Sequence, residues 1–458
     1  MTTKNNSRRR FLRTGTQVIA GAGLALGADP ALTLAQAADG GLDTNGDYRA
    51  LVCVYLQGGC DGFSLLVPTG NAEYHAYASS RGQLAISRNN LIELDDLTGN
   101  SPPAGLHTSA SALQPLFNDG RLAMIANIGN LVEPTSKEAY ENGSAIVPTQ
   151  LFSHSDQEIQ WQQLQGRNRG QEGWGALAAD YLSAYQSRDY LTSISLAGSN
   201  YWQAGTGQRP FSMTESGVLK YAGLGQVSDW ERPRTEAFKR VLDLPRRHVF
   251  TRAYADLQKR AMSITTELGA VLESNAGLLG ESPIENELAA KLGMVAQLIA
   301  AQDKLGMRRQ IFYVRMTGFD VHDNQNREQP ELFAQLAEAL AYFQDALDEL
   351  GQSENVTTFT ASDFGRSLTS NGDGTDHGWG NHLMAMGGAV RGGRIYGTMP
   401  RLEVDGPDSV HNGRILPTLS ASQYASTLLR WLGLDDSQLD HVLPNLGNFP
   451  TRDLGFMA

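Results

Sequence analysis

Ile311-Phe-Tyr-Val-Arg-Met316 and Val356-Thr-Thr-Phe-Thr-Ala361 are two β-branched, aromatic runs, and between them Leu332, Leu336, Leu340, Phe343, Leu347 and Leu350 recur every three or four residues. A strand, an amphipathic helix and a second strand in succession make a βαβ unit, so the two strands are expected to run parallel with the helix covering their sheet. In a parallel sheet the C-terminal ends of all strands lie on one edge. Whatever follows each strand therefore reaches the same rim: Thr317-Gly-Phe-Asp-Val-His322 after the first, and Ser362-Asp-Phe-Gly-Arg366 after the second.

Outward from this unit the same rim gains further polar groups. Arg49-Ala-Leu-Val-Cys-Val-Tyr-Leu56 is apolar without alternation, as a strand buried on both faces is, and it runs into Gln57-Gly-Gly-Cys-Asp-Gly-Phe-Ser64. Toward the C-terminus, Gly374-Thr-Asp-His-Gly-Trp-Gly-Asn-His382 places one Asp and two His in a glycine-rich loop. Asp61, Asp320 and Asp363 would repel one another on one rim unless a cation held them. With His322, Asp376, His377 and His382 they predict a divalent metal site. Carboxylates with imidazoles suit zinc, manganese or iron, and with fewer imidazoles magnesium or calcium. Each Asp taken singly also reads as a turn or a helix cap.

Gln150-Leu-Phe-Ser-His-Ser-Asp-Gln-Glu158 leads into a helix carrying Trp161, and His154 lies in a segment as polar as those around His322, His377 and His382. Ser153 or Ser155 at its start is either a cap or a nucleophile, since free N–H groups at a helix start favour a phosphate or sulfate. Residues 71–103 read as a polar, irregular surface excursion. Residues 109–118, 174–185 and 285–305 read as helices, and 121–127 and 190–196 as strands. A Gly/Gln/Ser-rich passage with Asn200-Tyr-Trp-Gln203 and Phe211 reads as inserted loops or a cap around 197–284, where recognition would reside.

The totals bound the function. A chain of 458 residues with 41% apolar composition can bury a large core, and a net charge of −12 argues against a nucleic-acid or anionic-membrane partner. Ser7-Arg-Arg-Arg-Phe-Leu-Arg13, a weakly apolar run over 18–28 and Ala35-Gln36-Ala37 resemble a twin-arginine export signal. Residues 1–37 are thus expected to engage the twin-arginine machinery and be removed, leaving 38–458 as one domain, periplasmic or secreted, with no stable membrane insertion. Cys53 and Cys60 could pair in that compartment or remain two buried thiols.

Leu56-Gln-Gly-Gly-Cys-Asp-Gly, Phe152-Ser-His-Ser-Asp-Gln157, Gly318-Phe-Asp-Val-His-Asp-Asn-Gln325, Ser362-Asp-Phe-Gly-Arg366 and Asp376-His-Gly-Trp-Gly together resemble the bacterial domain-of-unknown-function family numbered 1501. Gly387-Gly-Ala-Val-Arg-Gly-Gly-Arg-Ile-Tyr-Gly397 and the C-terminal Gln423-Tyr-Ala and Trp431-Leu-Gly extend the resemblance over nearly all of residues 38–458. It implies the alkaline phosphatase and sulfatase superfamily: a three-layer α/β/α sandwich with a mostly parallel sheet and a two-metal site. It further implies phosphate or sulfate ester hydrolysis with Ser153 as nucleophile and Ser155 in reserve, Asp61 as first metal ligand, and Arg366 or Arg391 neutralising the ester oxygens. The chain departs from the superfamily pattern at Asp320-Val-His322, two residues short, and at Asp363, which is followed by Phe364 where a His is expected. The alternative is a catalytically degenerate scaffold that binds a partner or surface polymer in envelope assembly.

Overall fold

The computed structural model describes residues 48–94, 96–97, 102–167, 170–184, 186, 188–207, 209–219, 224, 229–275 and 285–458; the expected export segment 1–37 lies outside them. Ten strands form the main sheet: β1 Arg49–Leu56, β2 Leu122–Gly129, β3 Ser193–Ser195, β4 Phe211–Thr214, β5 Gly217–Val218, β6 Arg309–Met316, β7 Val356–Ser362, β8 Asn381–Met386, β9 Arg394–Tyr396 and β10 Leu419–Ser420. Their order is β9-β2-β8-β7-β1-β6-β3-β4-β5, with β10 beside β2. The central strand β1 is parallel to both β6 and β7. Only β8, antiparallel to β7 and β2, and β5 at one edge run the other way. The fold is therefore α/β with a mostly parallel sheet.

The principal helices are α1 Asn71–Arg81, α2 His154–Gln163, α3 Trp174–Ser183, α4 Glu231–Asp243, α5 Val249–Asn275, α6 Glu287–Ala300, α7 Gln325–Glu349 and α8 Ala421–Leu432. The unbroken apolar run of β1 is explained by two cores. Ala50, Val52, Val54 and Leu56 pack with Leu292 and Ile299 of α6 and Leu336, Leu340 and Phe343 of α7. Leu51, Cys53 and Tyr55 face the other way, onto Trp174 of α3 and Tyr424 and Leu428 of α8. Side chains alternate along a strand, so a sheet covered by helices on both faces must be apolar at every position. Each fully buried Leu or Phe contributes about 1.5–3 kcal/mol, and two such layers fix the sheet rigidly beneath its rim.

One sequence reading is revised, and two that were left open are narrowed. Residues 71–103, read as irregular, hold α1 and the strand Leu91–Glu93, which joins Leu66–Pro68 and Ala104–His107 on either side of the span in a small three-stranded sheet. The passage around 197–284, read as inserted loops or a cap, contains the helices α4 and α5, and Trp202, expected in a recognition loop, is buried in the core. Cys53 and Cys60 are free and buried, and burial pushes both thiols well up from their ordinary value. Among the described residues no helix is long and apolar enough to cross a membrane.

Candidate metal centre

Four chain segments meet above the C-terminal ends of β1, β6 and β7. The segment after β6 carries Asp320 and His322, and it is pressed against the turn after β1. Gly58 there has φ +113°, and a Cβ on it would lie 2.4 Å from the Asp320 backbone nitrogen, so only glycine lets the two turns touch. After β7, Asp363 leads into a hairpin, Arg366–Ser370 paired with Thr375–His377, in which Arg366 faces His377. β8 then runs back down the sheet, which returns the chain from the rim. The fourth segment is the start of α2, where Phe152 holds φ +77° immediately before Ser153 and His154. A bulky residue there is strained, and the surroundings hold it: its ring lies under the Arg414 guanidinium at 4.0 Å, and its carbonyl accepts a 2.6 Å hydrogen bond from His377 Nδ1.

His154, Asp320, His322 and His377 each offer one ligand atom, and these four atoms lie within 4.8 Å of one another. Asp320 Oδ1 is 3.1 Å from His154 Nε2, 2.9 Å from His322 Nε2 and 3.6 Å from His377 Nε2. His322 Nε2 and His377 Nε2 are 3.1 Å apart. Behind them, each Nδ1 faces a polar group. His154 Nδ1 donates to Asp363 Oδ2 at 2.7 Å, and His322 Nδ1 lies 3.3 Å from Asn371 Nδ2 and 3.6 Å from Asp376 Oδ1. The Phe364 ring packs on both His154 and His377, at centroid distances of 4.8 and 4.7 Å. Arg366, buried, donates from Nη1 to Asp320 Oδ1 at 3.0 Å and to the Gly58 carbonyl at 3.1 Å.

This donor set fits a divalent cation. A carbonyl and a carboxylate can only accept, so His377 and His154 must carry hydrogen on Nδ1 and, when neutral, present the Nε2 lone pair inward. His154 Nε2 is buried and aimed into the cluster, where Asp320 Oδ1 at 3.1 Å is the group it faces. Three imidazoles with one carboxylate suit zinc, or manganese or iron, better than magnesium or calcium. Electrostatics agree. Burial lowers the His154 pKa, but the Asp363 hydrogen bond and the charges of Asp363 and Asp320 outweigh it, so the net shift is upward. Burial raises Asp320, and Arg366 with the facing imidazoles more than reverses this, leaving its carboxyl below the usual range. His377 is lowered, chiefly by burial. Asp320 is 45% exposed at its side chain, so the cluster opens to solvent on one side.

Of the residues singled out from sequence as ligands, Asp320, His322 and His377 share this cluster, and Asp363 and Asp376 stand behind it as partners of imidazoles. Asp61 and His382 lie elsewhere. The Asp61 carboxylate is buried and accepts from Arg81 Nη2 at 2.5 Å, Ser64 Oγ at 2.8 Å and Gln325 Nε2 at 2.9 Å, which saturates it without a metal. His382 is packed edge-on against Phe63, accepts from the Asn127 amide through Nδ1, and is lowered by burial to about 3. Arg366 is spent on Asp320 and backbone carbonyls, and exposed Arg391 follows β8 at the opposite edge of the sheet. Ser153 stands at the N-cap of α2 but makes no capping bond; its hydroxyl donates to Asp156 Oδ2 at 2.7 Å and lies 3.3 Å from Ser155 Oγ. His154 is the ligand that reading the sequence alone misses. Its polar, helix-opening segment drew attention, but nothing local distinguishes it from the serines beside it.

The sequence model of a family described as a protein of unknown function (DUF1501) matches residues 48–441. The chain belongs to that family. None of the curated proteins matches it. Among solved structures, the DUF1501 chain is similar to the PsFucS1 sulfatase from Pseudoalteromonas sp., at 12% identity and TM-score 0.36 over 94% of this chain and 75% of that one. It is also similar to the lipoteichoic acid synthase LtaP from Listeria monocytogenes, at 9% identity and TM-score 0.33 over 86% and 74%. A third is the zinc complex of the C-terminal periplasmic domain of EcEptC from Escherichia coli, at 10% identity and TM-score 0.33 over 90% and 87%. Likeness at this level carries no argument about the site, and the architecture rests on the strand order itself.

Proposed function

We propose that this DUF1501 protein is an exported, single-metal hydrolase of phosphate or sulfate esters, with His154, Asp320, His322 and His377 as ligands. The observation that carries the reading is the convergence of three imidazole Nε2 atoms and one carboxylate, with two of the Nδ1 atoms committed to acceptors. A bound divalent cation there supplies Lewis-acid polarisation of an ester oxygen. The protein's own residues do the rest. One carboxylate and three neutral imidazoles leave a dication with net positive charge, which favours an anionic ester over a neutral one. Asp363 and the Phe152 carbonyl hold the ligand rings in orientation, and Arg366 holds Asp320. Ser153 is the nucleophile: Asp156 accepts its hydroxyl proton as Oγ bonds to phosphorus or sulfur and the ester P–O or S–O bond breaks, the departing alkoxide takes a proton from water, the hydroxide so formed cleaves the seryl ester, and Asp156 returns the proton to Oγ. Because Asp61 is paired with Arg81, the reading includes one metal and not two.

Elemental analysis of the native protein tests the site, and turnover on a panel of phosphate and sulfate esters tests the chemistry. One equivalent of metal is expected, lost in His154→Ala/His377→Ala. Ser153→Ala is expected to retain the metal while turnover falls by several orders of magnitude. A metal-free native protein sinks the centre; a metal-loaded protein inert to every ester supports the binding scaffold instead. Export belongs to the same reading, and an Arg8→Lys/Arg9→Lys precursor should stay in the cytoplasmic fraction.

A further inference from the structure

Seven of the eleven exposed large apolar side chains among the described residues fall between Trp230 and Leu257, on α4, α5 and the turn joining them. Phe250 in the first turn of α5 is 73% exposed, Tyr254 and Leu257 farther along α5 are 64% and 61%, and Leu244 in the connection is 59%. Isolated surface apolars need no explanation, but a concentration of them with aromatics marks a contact surface. Charge separates this region from the rest of the chain. Residues 229–260 hold nine Lys and Arg against five Asp and Glu, in a chain whose net charge is −12. Some of these bases are committed: Lys239 to Glu236, Lys259 to Asp243, and Arg246 to the last carbonyls of α4. Arg240, Arg247 and Arg252 are exposed, with no ion pair among the described residues.

We infer that the α4–α5 hairpin is a docking surface for an anionic lipid bilayer, its turn entering the headgroup layer and its arginines facing lipid phosphates. Exposed aromatic and aliphatic side chains at and beside the connection of α4 and α5, interleaved with arginine, match an interface that is apolar inward and negative at its surface. A second copy fits poorly. Hairpin against hairpin sets arginines against arginines, and the remaining exposed apolars, Leu97, Ile146, Tyr201 and Leu219, are scattered along the sequence. The chain-wide acidity that argued against an anionic membrane is thus locally reversed.

The test places a fluorophore at the turn of the full chain through Phe250→Cys, Cys53 and Cys60 being buried. A blue shift is expected on phosphatidylglycerol vesicles, none on phosphatidylcholine, and its loss at about 0.5 M salt, where screening is short-ranged. Arg240→Glu/Arg247→Glu/Arg252→Glu in the labelled chain should weaken the partition at least roughly tenfold with unchanged far-UV circular dichroism. Because the label reports only its own surroundings, the basic N-terminal segment does not confound it. Absence of a shift, an equal shift on both lipids, or indifference to the charge reversal overturns the proposal. So does sedimentation velocity showing that Val249→Asp abolishes a lipid-free dimer, which would assign the patch to a second copy.

Discussion

Asp61 and Asp320 leave neighbouring parallel strands, β1 and β6, onto one rim, and the protein treats them oppositely. The Asp61 side chain is 1% exposed and meets a permanent cation, the Arg81 guanidinium. Asp320 is 45% exposed and meets three imidazoles, with Arg366 steadying it from below. A fully buried carboxylate needs its solvation replaced whenever the fold exists, and Arg81 supplies a partner that is never lost. A half-exposed one can, because water stands in when the ion is away. The two are joined by hydrogen bonds through Gln325, Thr375 and Arg366, so a structural ion pair braces the candidate metal centre.

The comparison breaks most visibly at Arg81. Arg81→Met leaves Asp61 buried and unpaired, which should cost about 3–5 kcal/mol in urea unfolding, and Asp61→Asn/Arg81→Met should recover much of it. Metal content per folded molecule should stay the same; a fall to zero would show that Asp61 belongs to the metal site after all. A smaller effect is expected at the candidate metal centre. Asp363→Asn weakens the acceptor that orients His154, and should lower metal affinity roughly 10–100-fold in competition with a chelator. Unchanged affinity would demote Asp363 to a packing role.

His154 is raised by its carboxylates, whereas His382 is lowered by burial to about 3. Between an unfolded value near 6.5 and about 3, the unfolded chain takes a proton at position 382 that the folded chain refuses. Stability from this group is therefore intact above pH 6.5 and is lost as pH falls toward 3, at up to about 1.4 kcal/mol per pH unit. In His382→Gln that share of the slope should vanish from urea unfolding measured across the window. Identical slopes in variant and wild type would mean His382 is protonated in the fold.

The frame was legible because its signals are local. The stripe Leu336, Leu340, Phe343 and Leu347 and the two strands flanking it specify a βαβ unit whatever surrounds them, and parallel strands carry Asp61, Asp320 and Asp363 to one edge. The reversal of β8 was not legible, since an apolar strand reads the same in either direction. Nor was α1, whose polar surface looks like a loop until Tyr77 and Arg81 are seen to be buried.

By itself, then, the sequence determined the sheet, its rim, and the presence of several carboxylates and imidazoles there, because periodicity and strand direction act over a few residues. Only the tertiary structure decided which carboxylate receives which cation. Arg81 reaches Asp61 from a helix beginning ten residues past the turn, and His154 comes to Asp320 and Asp363 from a separate helix start. Those pairings are set by packing between distant segments, and three groups of equal chemistry on one rim are told apart only by the burial and the neighbours that packing gives them.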